Sequence, residues 1–285
     1  MSKTLRWTAA VFGILLSLVL LGAGAVWALS SHKLNARLSA QPEQLGTPST
    51  AQLADGARQL RVLGCIGCHG EGLRGKKFLD LPGIVKLYAP NVTLIAARAT
   101  DQQLAQGIRQ GIGHDGRPLL VMPSEGYQYL TDGEAAALIT AIRALPVGGE
   151  KQPRAYVGPR GHLGIVLGKF STAPELVERY RVERVPDFGP TFASGRHLVE
   201  LNCSECHGPQ LKGKELEPGV MSPDLTIAGA YGIEQFRNMM RTGVAPGGKD
   251  IGLMARVAKR DFSHLTDEEI SDIHAYLVER AQRMP

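Results

Sequence analysis

The sequence predicts an all-α protein: two tandem copies of one small helical domain behind a single apolar N-terminal helix. Three observations carry this reading: an uncharged run of membrane length at the N-terminus, an ungapped internal repeat, and helix-start patterns at matching places in both copies. No convincing alternating strand pattern appears between them.

The N-terminal run extends from Thr8 to Leu29 after "MSKTLRW". Its 22 residues would reach about 33 Å as a helix, enough to cross the hydrocarbon core of a bilayer. Small residues at 23–25 and 28–30 are tolerable cleavage sites, but a cleaved signal has a shorter apolar core of about 7 to 15 residues. The length therefore favours a retained anchor over residues 1–30. Lys3 and Arg6 on one side face Lys33 and Arg37 on the other, so charge alone does not orient it.

"LGCIGCHGEGLRGK" at 63–76 recurs as "LNCSECHGPQLKGK" at 201–214, at an offset of 138 residues. Downstream, "APNVT" (89–93) recurs as "SPDLT" (222–226). "IRQGIGHDGRPLLVM" (108–122) matches "MRTGVAPGGKDIGLM" (240–254), and "LTDGEAAALITAI" (130–142) matches "LTDEEISDIHAYL" (265–277). Conserved order and spacing indicate a tandem duplication, and two copies are too few for a solenoid. The expected organisation is an anchor (1–30), a polar tether (31–50), a first domain (51–146), a Pro/Gly-rich linker (147–190) and a second domain (191–285).

Within each copy, Leu60 and Leu63, like Leu198 and Leu201, are three apart ahead of the first cysteine, as in a helix delivering that cysteine to a core. "TDQQLAQGIRQG" and "YGIEQFRNMMRTG" read as helices stopped by glycine. Thr131 with Glu134, and Thr266 with Glu269, are capping boxes that open a last helix; its apolar face carries Leu138 and Ile142, or Ile273 and Leu277. Residues 175–184 could add a short helix within the linker. Such small units with long glycine-rich loops would pack poorly unless something large filled each centre.

All four cysteines, Cys65, Cys68, Cys203 and Cys206, fall in the two Cys-x-x-Cys-His motifs, so no disulfide framework is available. Two thiols at this spacing can add to the two vinyl groups of a haem while the next imidazole ligates the iron. A zinc site would use the cysteines but leave both histidines and the downstream repeats unexplained. A redox dithiol lacks its βαβ surroundings. The formal charge of +5 is dispersed without an aromatic-rich basic patch, so no nucleic-acid role is expected.

On these motifs the chain resembles a membrane-anchored dihaem c-type cytochrome, with two class I cytochrome c domains covering nearly everything after residue 50. The resemblance implies two covalently attached c-type haems, one held by Cys65 and Cys68 with His69 as proximal ligand, the other by Cys203 and Cys206 with His207. It implies distal methionine ligands, for which the repeat selects Met122 and Met254. His114 is the rival to Met122, and either methionine could instead be core filler. Met239 and Met240 are expected in the core, and Met221 lies too near Cys206. Pro90 and Pro223 are the candidates to accept a hydrogen bond from the proximal histidines. Tyr88, Arg109, Tyr231 and Arg241 could reach haem propionates, and the basic runs "LRGKK" and "LKGK" could attract acidic partners.

With both iron faces closed, the implied function is electron transfer rather than bond chemistry. Its setting would be the periplasmic face of a bacterial plasma membrane, between redox partners or within a respiratory or dehydrogenase complex. A dihaem cytochrome c peroxidase is the alternative; it needs one iron that loses its distal ligand, whereas both halves keep the same elements.

Overall fold

A computed structural model describes residues 2–217 and 219–284; Met1 and Pro285, the outer ends of the expected anchor and second domain, lie outside the described residues. The chain is 59% helix and 7% strand, so helix packing organises it. Helix α1 (Lys3–Asn35) is a single 33-residue rod whose apolar portion stands clear of the rest. Residues 36–49 follow as an ordered strap along the first half. Gln41 N–H donates to Gln110 Oε1 at 2.9 Å, Glu43 N–H to Gln102 Oε1 at 2.9 Å, and Gly46 N–H to the Asp132 carbonyl at 3.3 Å. The segment expected to be a loose tether is thus fixed, because glutamines on the neighbouring helix satisfy its backbone.

The first half is built from α2 (Thr50–Val62), α3 (Cys65–His69), α4 (Val92–Ala96), α5 (Asp101–Ala105), α6 (Ser124–Tyr127) and α7 (Asp132–Arg143). The sequence-predicted helix over 100–111 forms as α5 followed by a π-helical turn, Gln106–Gln110, and ends at Gly111 with φ +69°. Helices α2 and α7 cross closely: a Cβ on Gly56 would lie 3.0 Å from the Ala137 carbonyl oxygen. Their inner faces, with Leu60, Leu63, Leu138 and Ile142, join one buried cluster. Each such side chain contributes on the order of 1.5–3 kcal/mol.

Contrary to the strand-free expectation, a hairpin stands between α3 and α4. Strand β1 (Lys76–Leu81) pairs antiparallel with β2 (Val85–Ala89), with a bulge between Lys77 and Leu79. The lysines of β1 disguise its alternation, but Pro82-Gly83 followed by "IVKLYA" is a turn-and-strand signal that could have found it. Strand β3 (Tyr156–Val157) adds to β2, so the inter-domain segment is not free linker. It also carries α8 (Pro159–Val166) and α9 (Ala173–Val182), the latter two residues from the helix expected at 175–184.

The second half repeats the plan in α10 (Ala193–Asn202), α11 (Ser204–His207), the short pair β4 (Glu215–Glu217) and β5 (Val220–Met221), α12 (Ile233–Thr242), α13 (Leu253–Arg260) and α14 (Asp267–Arg283). Helix α12 ends at Gly243 with φ +71°. Thr131 and Thr266 both close the capping boxes read from sequence. Val199, Met239, Met240, Ile273 and Leu277 form the second cluster.

The halves interlock. Val62 of α2 packs into the second cluster, and Leu201 of α10 packs into the first, so Leu201 does not serve its own core. Each capping-box glutamate is also reached from across the interface. Arg58 donates to both Glu269 carboxylate oxygens at 2.8 Å, and His197 Nε2 lies 2.9 Å from Glu134 Oε1.

Candidate functional site: two cysteine-histidine motifs

In each half the histidine of the motif is held by the same contact. His69 Nδ1 lies 2.9 Å from the Pro90 carbonyl, and His207 Nδ1 lies 2.9 Å from the Pro223 carbonyl. A carbonyl only accepts, so Nδ1 carries the proton and Nε2 keeps its lone pair for a metal. Burial lowers both histidine pKa values, outweighing the carbonyl contacts that raise them, which keeps the imidazoles neutral.

The loop after each motif produces that contact. Leu73 and Leu211, 138 residues apart, are the two non-glycine residues with positive φ among the described residues, at +54° and +61°. Both are buried in the cores of their halves. Strain retained at the same place in both copies marks a constrained turn. It leads to Gly75 and Gly213, at φ +82° and +83°, whose N–H groups donate to the His69 and His207 carbonyls at 2.6 and 2.9 Å. A Cβ on Gly75 would lie 2.7 Å from both the Ala89 carbonyl oxygen and the Asn91 nitrogen, the two flanks of Pro90. At Gly213 the same atom would overlap the Ser222 carbonyl and lie 2.9 Å from the Pro223 carbonyl carbon. The glycine of the repeated "GK" therefore lets the proline segment close onto the histidine.

All four cysteines are free thiols. Burial, the largest effect on each, pushes Cys65, Cys203 and Cys206 up to about 12 and raises Cys68 as well. These are not the low-pKa thiols of a redox dithiol. Among the described residues no group of three or more His, Cys, Asp or Glu is placed to hold a metal ion, which disfavours a zinc set. Two thiols that stay partly accessible in the first motif, or one buried and one half-buried in the second, beside one oriented imidazole do fit a covalently attached haem.

Met122 borders the cluster that Cys65 also borders, on the irregular stretch leading into Pro123. Met254 packs against the cluster containing Cys203, but from the first turn of α13 rather than from a loop. His114 is exposed. Met239 and Met240 are core residues, and Met221 is exposed on β5. Of the propionate candidates, Arg109 and Arg241 serve equivalent ion pairs, 2.9 Å from Asp132 and 2.8 Å from Asp267, at the starts of α7 and α14. Tyr231 packs beside the second cluster and its carbonyl accepts from His274 Nε2 at 2.8 Å; Tyr88 lies on β2 opposite Lys77.

Each motif is approached by the segment that follows the methionine of the other half. Gly126 of α6 lies so close to α10 that a Cβ there would be 3.0 Å from the Glu200 carbonyl oxygen and 3.5 Å from Ser204 Oγ. In return, Arg260 of α13 lays its guanidinium over Gly67, between the first pair of cysteines, where a larger residue would have to push the arginine aside. Buried Asp261 holds it, accepting from Arg260 Nε at 2.8 Å and Nη2 at 2.7 Å. Two acids lie at this junction. Burial and the charge of Glu205 push Glu125 up to about 7, and one of its oxygens is buried without a partner. Sequence reasoning missed Arg260, Asp261 and Glu125, which act across the interface and stand outside the repeated motifs, and Glu205, which lies inside the second motif where the first has Gly67. The Leu-x-Gly-Lys repeat was the signal for the strained loop.

Residues 192–281 match the cytochrome c family. The chain is also 24% identical over 245 residues, 75% of its length, to the fructose dehydrogenase cytochrome subunit of Gluconobacter japonicus. It spans about half, 49%, of that relative's length. One helix, Lys3–Asn35, is long and apolar enough to cross a membrane. The second half of the chain thus carries a cytochrome c domain, and both likenesses support an electron-transfer protein rather than a catalytic enzyme.

Proposed function

We propose that the chain is a membrane-anchored dihaem c-type cytochrome that passes electrons at the periplasmic face of a bacterial plasma membrane. The observation that carries this reading is the duplicated geometry: two Cys-x-x-Cys-His motifs, each with its imidazole turned by a proline carbonyl at 2.9 Å. Haem bound at each motif supplies one-electron chemistry at iron. The residues of the chain do the rest. Cys65 and Cys68, and Cys203 and Cys206, would be the attachment points; His69 and His207 would offer Nε2, and Met122 and Met254 would offer their sulfur. The interlocked packing of the two halves favours passage of an electron from one to the other, and α1 holds both halves at the membrane. Likeness to a dehydrogenase cytochrome subunit supports service as the electron-transfer subunit of such a complex.

An alkaline pyridine assay of the purified chain is expected to return two thioether-linked haems per polypeptide. C65A/C68A and C203A/C206A variants should each keep one, and exchanging Met122 or Met254 for histidine should lower the potential of one centre alone. One haem in the unaltered chain would refute the duplicated site, and peroxide turnover would refute simple conduction.

A further inference from the structure

We infer that the segment from Pro159 to Phe170 is a second membrane contact that lies in the interface beside the anchor and binds anionic lipid headgroups. The inference rests on the proposal that α1 spans the bilayer. The uncharged run of α1 ends at Leu29, and the next residue, Ser30, is the one buried residue among those of α1. Ser30 Oγ lies 2.6 Å from His162 Nδ1 on α8, while its own hydroxyl proton can turn to the Val26 carbonyl at 2.8 Å. One turn later Lys33 pairs with Glu175 of α9 at 2.8 Å. Helix α8 is therefore fixed to α1 at the depth where hydrocarbon gives way to headgroups. From its other side it is pressed against the β1–β2 turn, where a Cβ on Gly161 would overlap the Ile84 carbonyl.

At that depth the segment turns apolar side chains outward. Leu163 and Val166 are exposed on α8, and just beyond it Leu167 is 62% and Phe170 45% exposed. Leu167 follows His162 by five residues, about 7.5 Å along a helix. Amphipathic interfacial segments bury their apolar faces about 5–10 Å into the headgroup and acyl boundary. Trp27 and Leu29 of α1, just before Ser30 in the chain, are also exposed. Charge selects the lipid. From Lys151 to Pro174 there is no acidic residue, while Lys151, Arg154, Arg160 and Lys169 are all exposed cations. The occupant that suits this face is a phosphatidylglycerol-type leaflet.

The test uses the full haem-loaded chain in nanodiscs of phosphatidylcholine and phosphatidylglycerol, with a fluorophore on L167C, L20C or V244C and the unsubstituted chain as labelling background. The Leu167 probe is expected to be quenched several-fold more by lipids carrying a shallow nitroxide than by an aqueous nitroxide. The Val244 probe, in the second half, should show the reverse. If the Leu167 probe behaves like the Val244 probe, or is shielded from both quenchers as under a second protein, the inference is overturned. The Leu20 probe separates the two proposals. Loss of its quenching by deep nitroxide lipids would refute the spanning anchor itself, whereas deep quenching at Leu20 with aqueous access at Leu167 would refute only the second contact.

Discussion

Replacing Gly75 by alanine tests whether the loop after the first motif sets the orientation of its histidine. Two costs are legible. At φ +82° an L-residue pays about 1–2 kcal/mol for the left-handed conformation. Its methyl group would also lie 2.7 Å from the Ala89 oxygen and the Asn91 nitrogen, well inside the optimal carbon-to-heavy-atom separation of about 3.5–4.0 Å. Relief requires Pro90 to retreat by about 0.7 Å or more, which takes the 2.9 Å contact with His69 past the limit of a hydrogen bond, about 3.2–3.5 Å. Losing that bond adds about 0.5–1.5 kcal/mol, for a total of about 1.5–3.5 kcal/mol. Gly83 is the control, since it has φ +73° but no atom within 4 Å of its added methyl; G83A should cost only the conformational 1–2 kcal/mol. Urea denaturation followed by far-ultraviolet circular dichroism reads the stabilities. Exchange of the His69 Nδ1 proton, followed by NMR in the reduced protein, reads the bond, and should accelerate about tenfold per 1.4 kcal/mol lost in G75A alone. Equal destabilisation by the two substitutions, with unchanged exchange at His69, would refute the argument.

Arg280, only 1% exposed, donates to Asp224 Oδ1 at 2.7 Å and to the Gln210 carbonyl at 2.9 Å, clamping the segment after Pro223. R280M should destabilise the second half by about 2–3 kcal/mol, less than a fully buried pair because Asp224 is partly solvated; a loss below 0.5 kcal/mol in urea unfolding would count against the clamp. Glu125, held near 7 in the folded chain against 4.5 unfolded, favours folding most below about pH 4.5, and that contribution is lost as pH rises through about 7. E125Q should flatten the stability profile between those values, and an unchanged slope would show the carboxyl to be solvated. A double-mutant cycle on Arg58 and Glu269, a bidentate pair spanning the halves, should return about 1–2 kcal/mol of coupling. A value near zero would mean that this pair does not hold the interface, leaving it to the other contacts between the halves, Val62 and Leu201 among them.

Much of the site was legible because duplication repeats a physical requirement. Each His needs an acceptor and each acceptor needs a glycine that lets it approach, so Pro90, Pro223, Gly75 and Gly213 recur with the motifs they serve. The helices were legible where caps are local, as at Thr131 and Thr266. The hairpin was not, because Lys76, Lys77 and Lys86 place charge where alternation would show, and β3 joins it only through contacts about 70 residues apart in the chain. Nor was the interface, since Leu201 reads as core in either half and only tertiary packing decides whose. The positions of Arg260 and Glu125 depend on that same packing.

The reciprocal cover of the two motifs bears on how the molecule is made. A chain exported from its N-terminus presents Cys65 and Cys68 almost 200 residues before Arg260, the side chain that shuts over Gly67, has emerged. On the dihaem reading, the attachment machinery meets the first motif open and must finish there before the second half arrives. A chain that docked its halves too early would set Arg260 over the first motif before attachment, making the order of synthesis part of the assembly instructions.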